Sequence, residues 1–277
     1  MTAERISSNK EKLGAVVATV TIPTPCSGSE GNWTFYDPEH PRDRIHSLHE
    51  AFSELRGRVP QRSATFLDCG SGNGVATLIA HLANFDRAYG IEKNEELVGD
   101  ARRRLSSLVN QRIIPSYAVR FAYGSYYQPD ILPDITARCM DKLHGLYDIE
   151  GQFETPDFTH YAHSVLQIDE NGNMPRPMED LLKAYLFPGS VALDELGIVS
   201  GRKLTADVSY IYPSDIFFEC VFLPQMGLLM QEGSLLVVLS PVDDCILTPP
   251  PLFHGEKPIL LSDCSDVPMC LQVFRKE

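Results

Sequence analysis

Basic residues and long apolar runs are scarce in this chain, and each scarcity excludes a class of partner. The 277 residues include 24 Lys and Arg against 37 Asp and Glu, a formal net charge of −13 at pH 7. Nucleic acid is bound through clustered cations, so this charge argues against nucleic acid as a partner. A membrane-spanning helix needs roughly 20 apolar residues, and no run of the sequence approaches that length. We therefore predict no membrane partner.

Cysteine pairs and a secretory signal are also missing. The seven cysteines form no Cys-x-x-Cys pair and no zinc-binding spacing, which favours buried thiols. The first six residues, Met1 to Ile6, are polar and mixed in charge, unlike the basic start of a signal peptide. We therefore expect a soluble, intracellular protein of the cytoplasm.

One loose set of metal-ligand residue types is present. It consists of Glu154, Asp157, His160 and His163. Histidines three positions apart and flanked by aromatic residues are more often structural than metal-binding. We therefore predict no metal site.

A phosphate-binding Gly-x-x-x-x-Gly-Lys-Ser/Thr loop is absent, but one run is rich in glycine. It reads FLDCGSGNG from Phe66 to Gly74. Glycine removes the Cβ that blocks close approach and tolerates positive φ, so a strand can turn sharply into a helix whose free N–H groups face a ligand. The next predicted strand, 88–92, ends in Glu92, 24 positions after Asp68. A βαβ unit places an acceptor for ribose hydroxyls in this region.

The glycine spacing distinguishes between cofactor classes. Nicotinamide and flavin enzymes carry Gly-x-Gly-x-x-Gly, but this run has Gly74 as its third glycine and Val75 where that pattern requires one. Asp-x-Gly-x-Gly-x-Gly followed by a strand-end Glu instead resembles the class I S-adenosylmethionine-dependent methyltransferases. Together with Tyr89 to Lys93, it bears a weaker resemblance to the non-SET protein lysine methyltransferases.

The resemblance implies S-adenosyl-L-methionine as cofactor and assigns it a set of residues. The glycine loop would pack under the methionine part, and Glu92 would bind both ribose hydroxyls. Many members of the family contact the adenine amino group with an Asp after the third strand, where this chain has Ser125. The cofactor-binding residues predicted in this way are Asp68, Gly70, Ser71, Gly72, Gly74, Glu92, Lys93 and Ser125.

The expected fold is α/β, a Rossmann-like seven-stranded, mostly parallel sheet with helices on both faces and a large insertion between the third and fourth strands. Residues 1–42 form an N-terminal extension, in which 15–22 reads as a strand or as a cover for the core. The first half of the cofactor-binding domain spans 43–125, the insertion 126–205 and the second half 206–277. We interpret the insertion as an acceptor lid or subdomain, because connections of about 80 residues are uncommon without a function.

Periodicity places the elements within these units. In the first half it predicts helix 43–55, strand 62–68, helix 75–84, strand 88–92, a helix from 94 to about 108, and strand 117–123. In the second half it predicts strand 206–212, helix 216–230, strand 235–239 and a final antiparallel pair, 258–261 and 267–274.

The methyl-transfer site of the family lies after the fourth strand, where this chain reads Tyr212-Pro213-Ser214-Asp215. Many nitrogen methyltransferases carry Asn/Asp-Pro-Pro-aromatic there, and only the proline is retained. We predict Tyr212 as a wall of the site and Asp215 as a group that holds or deprotonates the acceptor, although Ser214 and Asp215 are equally typical of a helix cap. His144, His160 and His163 are further candidates for the base, and the sequence prefers none of the four.

The sequence predicts a methyltransferase acting on an N or O atom of a small molecule or a protein side chain. The alternative is a non-catalytic module that binds the same cofactor as a sensor or partner subunit. The acceptor, the oligomeric state and the motion of residues 126–205 stay open.

Overall fold

The computed structural model describes residues 9–19, 41–60, 63–124, 126, 192–200, 203–212, 223–242, 249–250, 252–262 and 268–277. Six helices lie in these ranges: α1 (Asn9–Thr19), α2 (Pro41–Gly57), α3 (Val75–Leu82), α4 (Glu95–Asn110), α5 (Ala192–Leu196) and α6 (Leu223–Leu229). The strands are β1 (Thr65–Cys69), β2 (Arg87–Glu92), β3 (Val119–Tyr123), β4 (Val199–Ser200), β5 (Lys203–Leu204), β6 (Val208–Ile211), β7 (Leu235–Pro241), β8 (Phe253–Gly255), β9 (Ile259–Leu260) and β10 (Met269–Lys276).

The main sheet has the strand order β3-β2-β1-β6-β7-β10-β8, with β9 paired to β10. Strands β1, β2, β3, β6 and β7 are mutually parallel, and β10 runs antiparallel to β7, β8 and β9. The predicted mostly parallel α/β sheet is therefore confirmed. The predicted closing pair is also present, and β8 and β9 together occupy the outer position that we assigned to one strand.

Both faces of the central strands are buried, as expected for parallel strands covered by helices. On one face, Phe66 of β1 lies at the centre of an aromatic cluster, with ring centroids 5.0 Å from Phe52, 5.2 Å from Phe85 and 5.7 Å from Tyr210. Helices α1, α2 and α3 contribute to this core. Strand residues that point to the opposite face, such as Leu67, are equally buried.

Helix α1 covers the core, and residues 15–19 are helical where a strand was the alternative, while 20–22 lie outside the described residues. Leu13 and Val16 are buried, three positions apart on one side of the helix, and α1 packs against α2, α3 and α4. The β-branched run Val16 to Val20 favours a strand by propensity alone. Packing against three helices overrides that preference.

Helix α4 begins at an Asn94 cap, whose side chain accepts from the backbone N–H groups of Glu96 and Leu97. The arginines at 102–104 do not serve the dipole at the helix end, because the last turn of α4 contains no basic residue. Arg102 instead donates to the Phe121 carbonyl at 2.8 Å, and the buried Arg104 donates to the Thr19 carbonyl.

The end of the insertion is fixed to the edge of the sheet. Arg120 of β3 donates to the carbonyls of Glu195 and Leu196 at the end of α5, and Arg102 lies 3.7 Å from the Glu195 carboxylate. The insertion residues 127–191 and 201–202 lie outside the described residues, as does the first part, 216–222, of the predicted helix 216–230; its second part contains α6. None of the helices in the described ranges is long and apolar enough to cross a membrane.

Glycine 90 should be indispensable to the packing of β2. A Cβ at this position would lie 2.6 Å from Phe121 Cδ1 and 2.8 Å from Ser71 Cβ. We expect Gly90→Ala to lower the free energy of unfolding by about 1–3 kcal/mol, with part of the loss recovered in the Gly90→Ala/Phe121→Leu double variant. Urea denaturation measures each value.

Gly14→Ala in α1 is the matched control. A Cβ there meets nothing within 4 Å among the described residues, so the same substitution should raise helix stability by about 0.5–1 kcal/mol. Equal stability of Gly90→Ala and wild type would show that Phe121 and Ser71 move aside.

Candidate functional site

The candidate site lies at the carboxyl ends of the parallel strands. Strand β1 has β2 on one side and β6 on the other. The chain therefore adds β2 and β3 on one side of β1 and the later strands on the other side. Ligands of open α/β sheets bind in the crevice at this topological switch point. The glycine loop follows β1 and enters α3 at this position.

Four backbone N–H groups hold the glycine loop in place: three donate to residues at the end of β2, and one closes a turn within the loop. Gly70 and Ser71 both donate to the Ile91 carbonyl, at 2.9 and 2.8 Å. Gly72 donates to Glu92 Oε2 at 2.8 Å, and Gly74 closes the turn by donating to Ser71. The φ angles of Gly70, Gly72 and Gly74 are 85°, 53° and 82°. Side-chain-bearing residues rarely adopt such angles, which explains the three glycines.

Glu92 joins the two halves of the site. Its Oε2 accepts from Gly72 and its Oε1 accepts from the Asn94 N–H at 2.9 Å, while the residue is 9% exposed. A carboxylate offers about four lone-pair directions, so two remain for further donors. Its main-chain carbonyl also accepts from Gly124 after β3. One residue thereby fixes the glycine loop, the start of α4 and the end of β3.

The loop has a packed side and an open side. A Cβ on Gly74 would lie 2.6 Å from Phe121, whereas one on Gly70 or Gly72 meets no atom of the described residues within 4 Å. Ser71 is 8% exposed and its Oγ has no hydrogen-bond partner in the described part of the chain. The open side and the available acceptors of Glu92 fit a flat, polar ligand with adjacent hydroxyl groups.

Asp68 lies behind the loop. It is 2% exposed and accepts from the Thr77 hydroxyl at 2.7 Å. Burial raises its pKa to about 7, the Thr77 hydrogen bonds oppose the rise, and the nearby charge of Glu92 adds to it. Asp68 therefore links the strand end to the first turn of α3. Thr77 and Phe121 were not predicted as site residues, since their sequence positions carry no motif.

The other predicted residues differ in what the structure describes. Lys93 is exposed at the mouth of the site. Tyr212 is partly buried and packs against the core beside the end of β6. Ser125 and Asp215 lie outside the described residues. Cys69 is buried, and burial raises the pKa of its thiol, so its sulfur is protonated at neutral pH.

The described ranges contain no candidate metal site. Within them, no three His, Cys, Asp or Glu side chains form a group that could hold a metal ion. Glu154, Asp157, His160 and His163 lie outside those ranges. The prediction of no metal site stays a prediction.

No family model matches the chain, and no curated protein matches it. Solved structures resemble it in fold. An O-methyltransferase from Bacillus cereus in complex with SAH has a TM-score of 0.45 and 9% identity, covering 99% of this chain and 94% of that one. A candidate methyltransferase, yhhF of Escherichia coli, has a TM-score of 0.45 and 13% identity over 92% and 90% of the two chains.

A third structure of the same kind is PH1948 from Pyrococcus horikoshii, described as a candidate RNA methyltransferase. Its TM-score is 0.45 and its identity 9%, covering 96% of each chain. Likenesses at these identities concern the fold alone. The charge-based prediction against nucleic acid gains no support from them and stays a prediction.

Asp68 should make stability depend on pH. Its pKa is about 7 in the folded protein and near 3.8 when unfolded, so the folded state binds this proton more tightly. The resulting stabilisation is complete below pH 4 and is lost as pH rises through 7. Asp68→Asn keeps an acceptor for Thr77 without titrating. Between pH 5 and 8, wild type should lose roughly 2 kcal/mol relative to this variant in urea denaturation.

Asp100→Asn serves as the control, because it removes a partly exposed carboxylate from α4. Its stability should run parallel to that of wild type over the same pH range. A constant difference between wild type and Asp68→Asn would mean that Asp68 is ionised throughout.

Proposed function

We propose that this protein is an S-adenosylmethionine-dependent methyltransferase that transfers a methyl group to an N or O atom of a small molecule or a protein side chain. The observation that carries the proposal is Glu92. Its buried carboxylate holds the glycine loop by one oxygen and the start of α4 by the other, and has acceptor capacity left. It lies at the switch point of the parallel sheet, beside β1.

The donor and acceptor set fits the ribose of the cofactor. Two adjacent hydroxyl groups would donate to the remaining lone pairs of Glu92, and the Cβ-free surfaces of Gly70 and Gly72 would let the methionine portion lie against the backbone. Asp68 would act indirectly by holding the loop through Thr77. Lys93 and Ser125 remain the proposed contacts for the outer ribose edge and the adenine.

The bound cofactor supplies a methyl group already activated on a sulfonium. The tasks left to the protein are alignment of the acceptor and exclusion of water. Tyr212, at the end of β6, would form one wall of the acceptor site. Asp215 would hold the acceptor or take its proton where the acceptor is a hydroxyl or an ammonium group.

The domain division follows from this proposal. Residues 43–125 and 206–277 would hold the cofactor, 1–42 would extend the domain, and 126–205 would contribute the acceptor side. An acidic surface suits a basic acceptor, and this is the sole support for a protein lysine side chain over a small molecule.

Titration calorimetry with S-adenosylmethionine and S-adenosylhomocysteine tests the cofactor. We expect micromolar binding by wild type and a loss of at least tenfold in Glu92→Ala, because hydrogen bonds to a buried charged acceptor contribute about 1.5–3 kcal/mol each. Gly72→Arg should abolish binding by filling the open side of the loop. Glu95→Gln, which changes the same charge on an exposed neighbour, should bind as wild type does.

Two results would contradict the assignment. Binding of neither compound by wild type would remove the cofactor, and protection from heating by NAD alone would favour an oxidoreductase. Thermal denaturation of Glu92→Ala accompanies the titration, since an unfolded variant would also fail to bind.

Transfer itself requires an acceptor. Radiolabelled methyl groups should appear in one of three pools, namely small molecules, proteins or RNA, and should be absent with Glu92→Ala. Label in RNA would overturn the charge-based prediction. Tight cofactor binding without label in any pool would favour the non-catalytic module.

A further inference from the structure

A second cleft lies near the amino-terminal ends of β2 and β3, whereas the glycine loop lies at the carboxyl ends of the strands. It encloses about 590 Å³ between α1, the end of α3 and the turn from α4 to β3. This volume suits a small molecule. Its apolar lining includes Leu82, Phe85, Ile113 and Ile114, of which Phe85 and Ile114 are almost fully buried.

Two helices end at this cleft in the same way. Asn84, two residues after the end of α3, has φ 71°, and Arg112, two residues after the end of α4, has φ 58°. In both, the following residue donates back five positions, Phe85 to Ala80 and Ile113 to Leu108, the pattern of a Schellman motif. Glycine is the residue ordinarily used at the left-handed position, and Asn is tolerated there.

Arg112 is the exception that needs an explanation. The left-handed region is less favourable for an arginine than for a glycine, because the arginine Cβ crowds the backbone there. Backbone strain of this kind persists more often at binding sites than elsewhere. A cation at a helix C-terminus also offsets the helix dipole, which accounts for a positive charge here but does not require the left-handed backbone.

A second cation lines the same cleft from another helix. Lys12 of α1 lies close enough to His81 to influence its titration. Neither Lys12 nor Arg112 has a salt-bridge partner among the described residues. The one acid of the lining, Asp86, is already held by the Ala64 N–H at 2.8 Å and faces Arg56 at 3.9 Å. The cations of the lining therefore outnumber its acids, in a chain of net charge −13.

His81 adds an acceptor to the lining. Its Nδ1 lies 2.9 Å from the Phe85 carbonyl, and a carbonyl can only accept, so Nδ1 carries the proton and Nε2 is the acceptor of the neutral ring. Burial lowers the pKa of His81 and favours that neutral form, although the Phe85 hydrogen bond works in the opposite direction.

We propose that this cleft binds a small aromatic or apolar monoanion that carries a hydrogen-bond donor. The anionic group would lie between Lys12 and Arg112, the apolar body would lie against Ile113 and Leu82, and the donor would reach His81. The site is independent of the glycine loop, so it does not rest on the proposed methyltransferase activity.

Titration of the full chain with indole-3-acetate tests this site, since the probe joins an aromatic ring, one N–H and one carboxylate. Tryptamine, which replaces the carboxylate by an ammonium group, is the matched probe of opposite charge. We expect submillimolar binding of indole-3-acetate and at least tenfold weaker binding of tryptamine. Arg112→Gly and Lys12→Gln should each weaken indole-3-acetate at least fivefold, while Arg103→Gln, an exposed cation of α4, should not.

Two further measurements locate the probe and separate strain from function. The NMR signal of the His81 imidazole ring, assigned by its loss in His81→Gln, should shift when indole-3-acetate is added. Excess S-adenosylhomocysteine should leave the affinity for indole-3-acetate unchanged. Arg112→Gly should raise the melting temperature while it weakens binding, because glycine relieves the backbone. A lower melting temperature with unchanged probe binding would make Arg112 a structural residue and overturn the proposal.

Other outcomes also overturn it. These are no binding of indole-3-acetate by wild type, equal affinity for the two probes, and displacement of the probe by S-adenosylhomocysteine.

Discussion

The candidate site depends on one buried carboxylate with two backbone donors. Glu92 accepts from Gly72 in the loop after β1 and from Asn94 before α4, so the relative position of two successive strand-to-helix turns is fixed by a single side chain. The charge of a carboxylate is costly to bury without such donors. The backbone N–H groups reduce that cost, and the same arrangement leaves the outward lone pairs oriented before any ligand arrives.

The glycines of the loop serve two different needs. Gly74 and Gly90 lie against Phe121, where a Cβ would collide with the ring. Gly70 and Gly72 are held at positive φ, and a Cβ on either would meet none of the described residues within 4 Å. The first pair allows the sheet, the loop and α4 to pack closely. The second pair leaves the backbone accessible. Close packing on one side of the loop therefore accompanies an accessible backbone on the other. Behind the loop, the hydrogen bond between Asp68 and Thr77 connects β1 to α3.

Much of the fold follows from local pattern, since the mostly parallel sheet and the alternation of strands and helices from β1 to β3 were predicted. The assignment of Gly70, Gly72, Gly74 and Glu92 to cofactor binding stays a prediction. The errors arise where distant residues decide. Strand β1 begins at Thr65 and not at 62, and the N–H groups of Ala64 and Thr65 are bonded to the carboxylates of Asp86 and Asp207. Helix α1 owes its form to packing on three other helices. Thr77 became part of the site only through its contact with Asp68.

Strand β3 is the outermost parallel strand, and an open edge presents unpaired N–H and C=O groups to any other strand. The guanidinium of Arg120 attaches the end of α5 to this strand, and Arg102 lies beside Glu195 of the same helix. The segment that returns the chain to the sheet is therefore anchored to the strand from which the insertion departs, and α5 also contacts the neighbouring strand β2. The long excursion after β3 thus begins and ends at the outermost parallel strand.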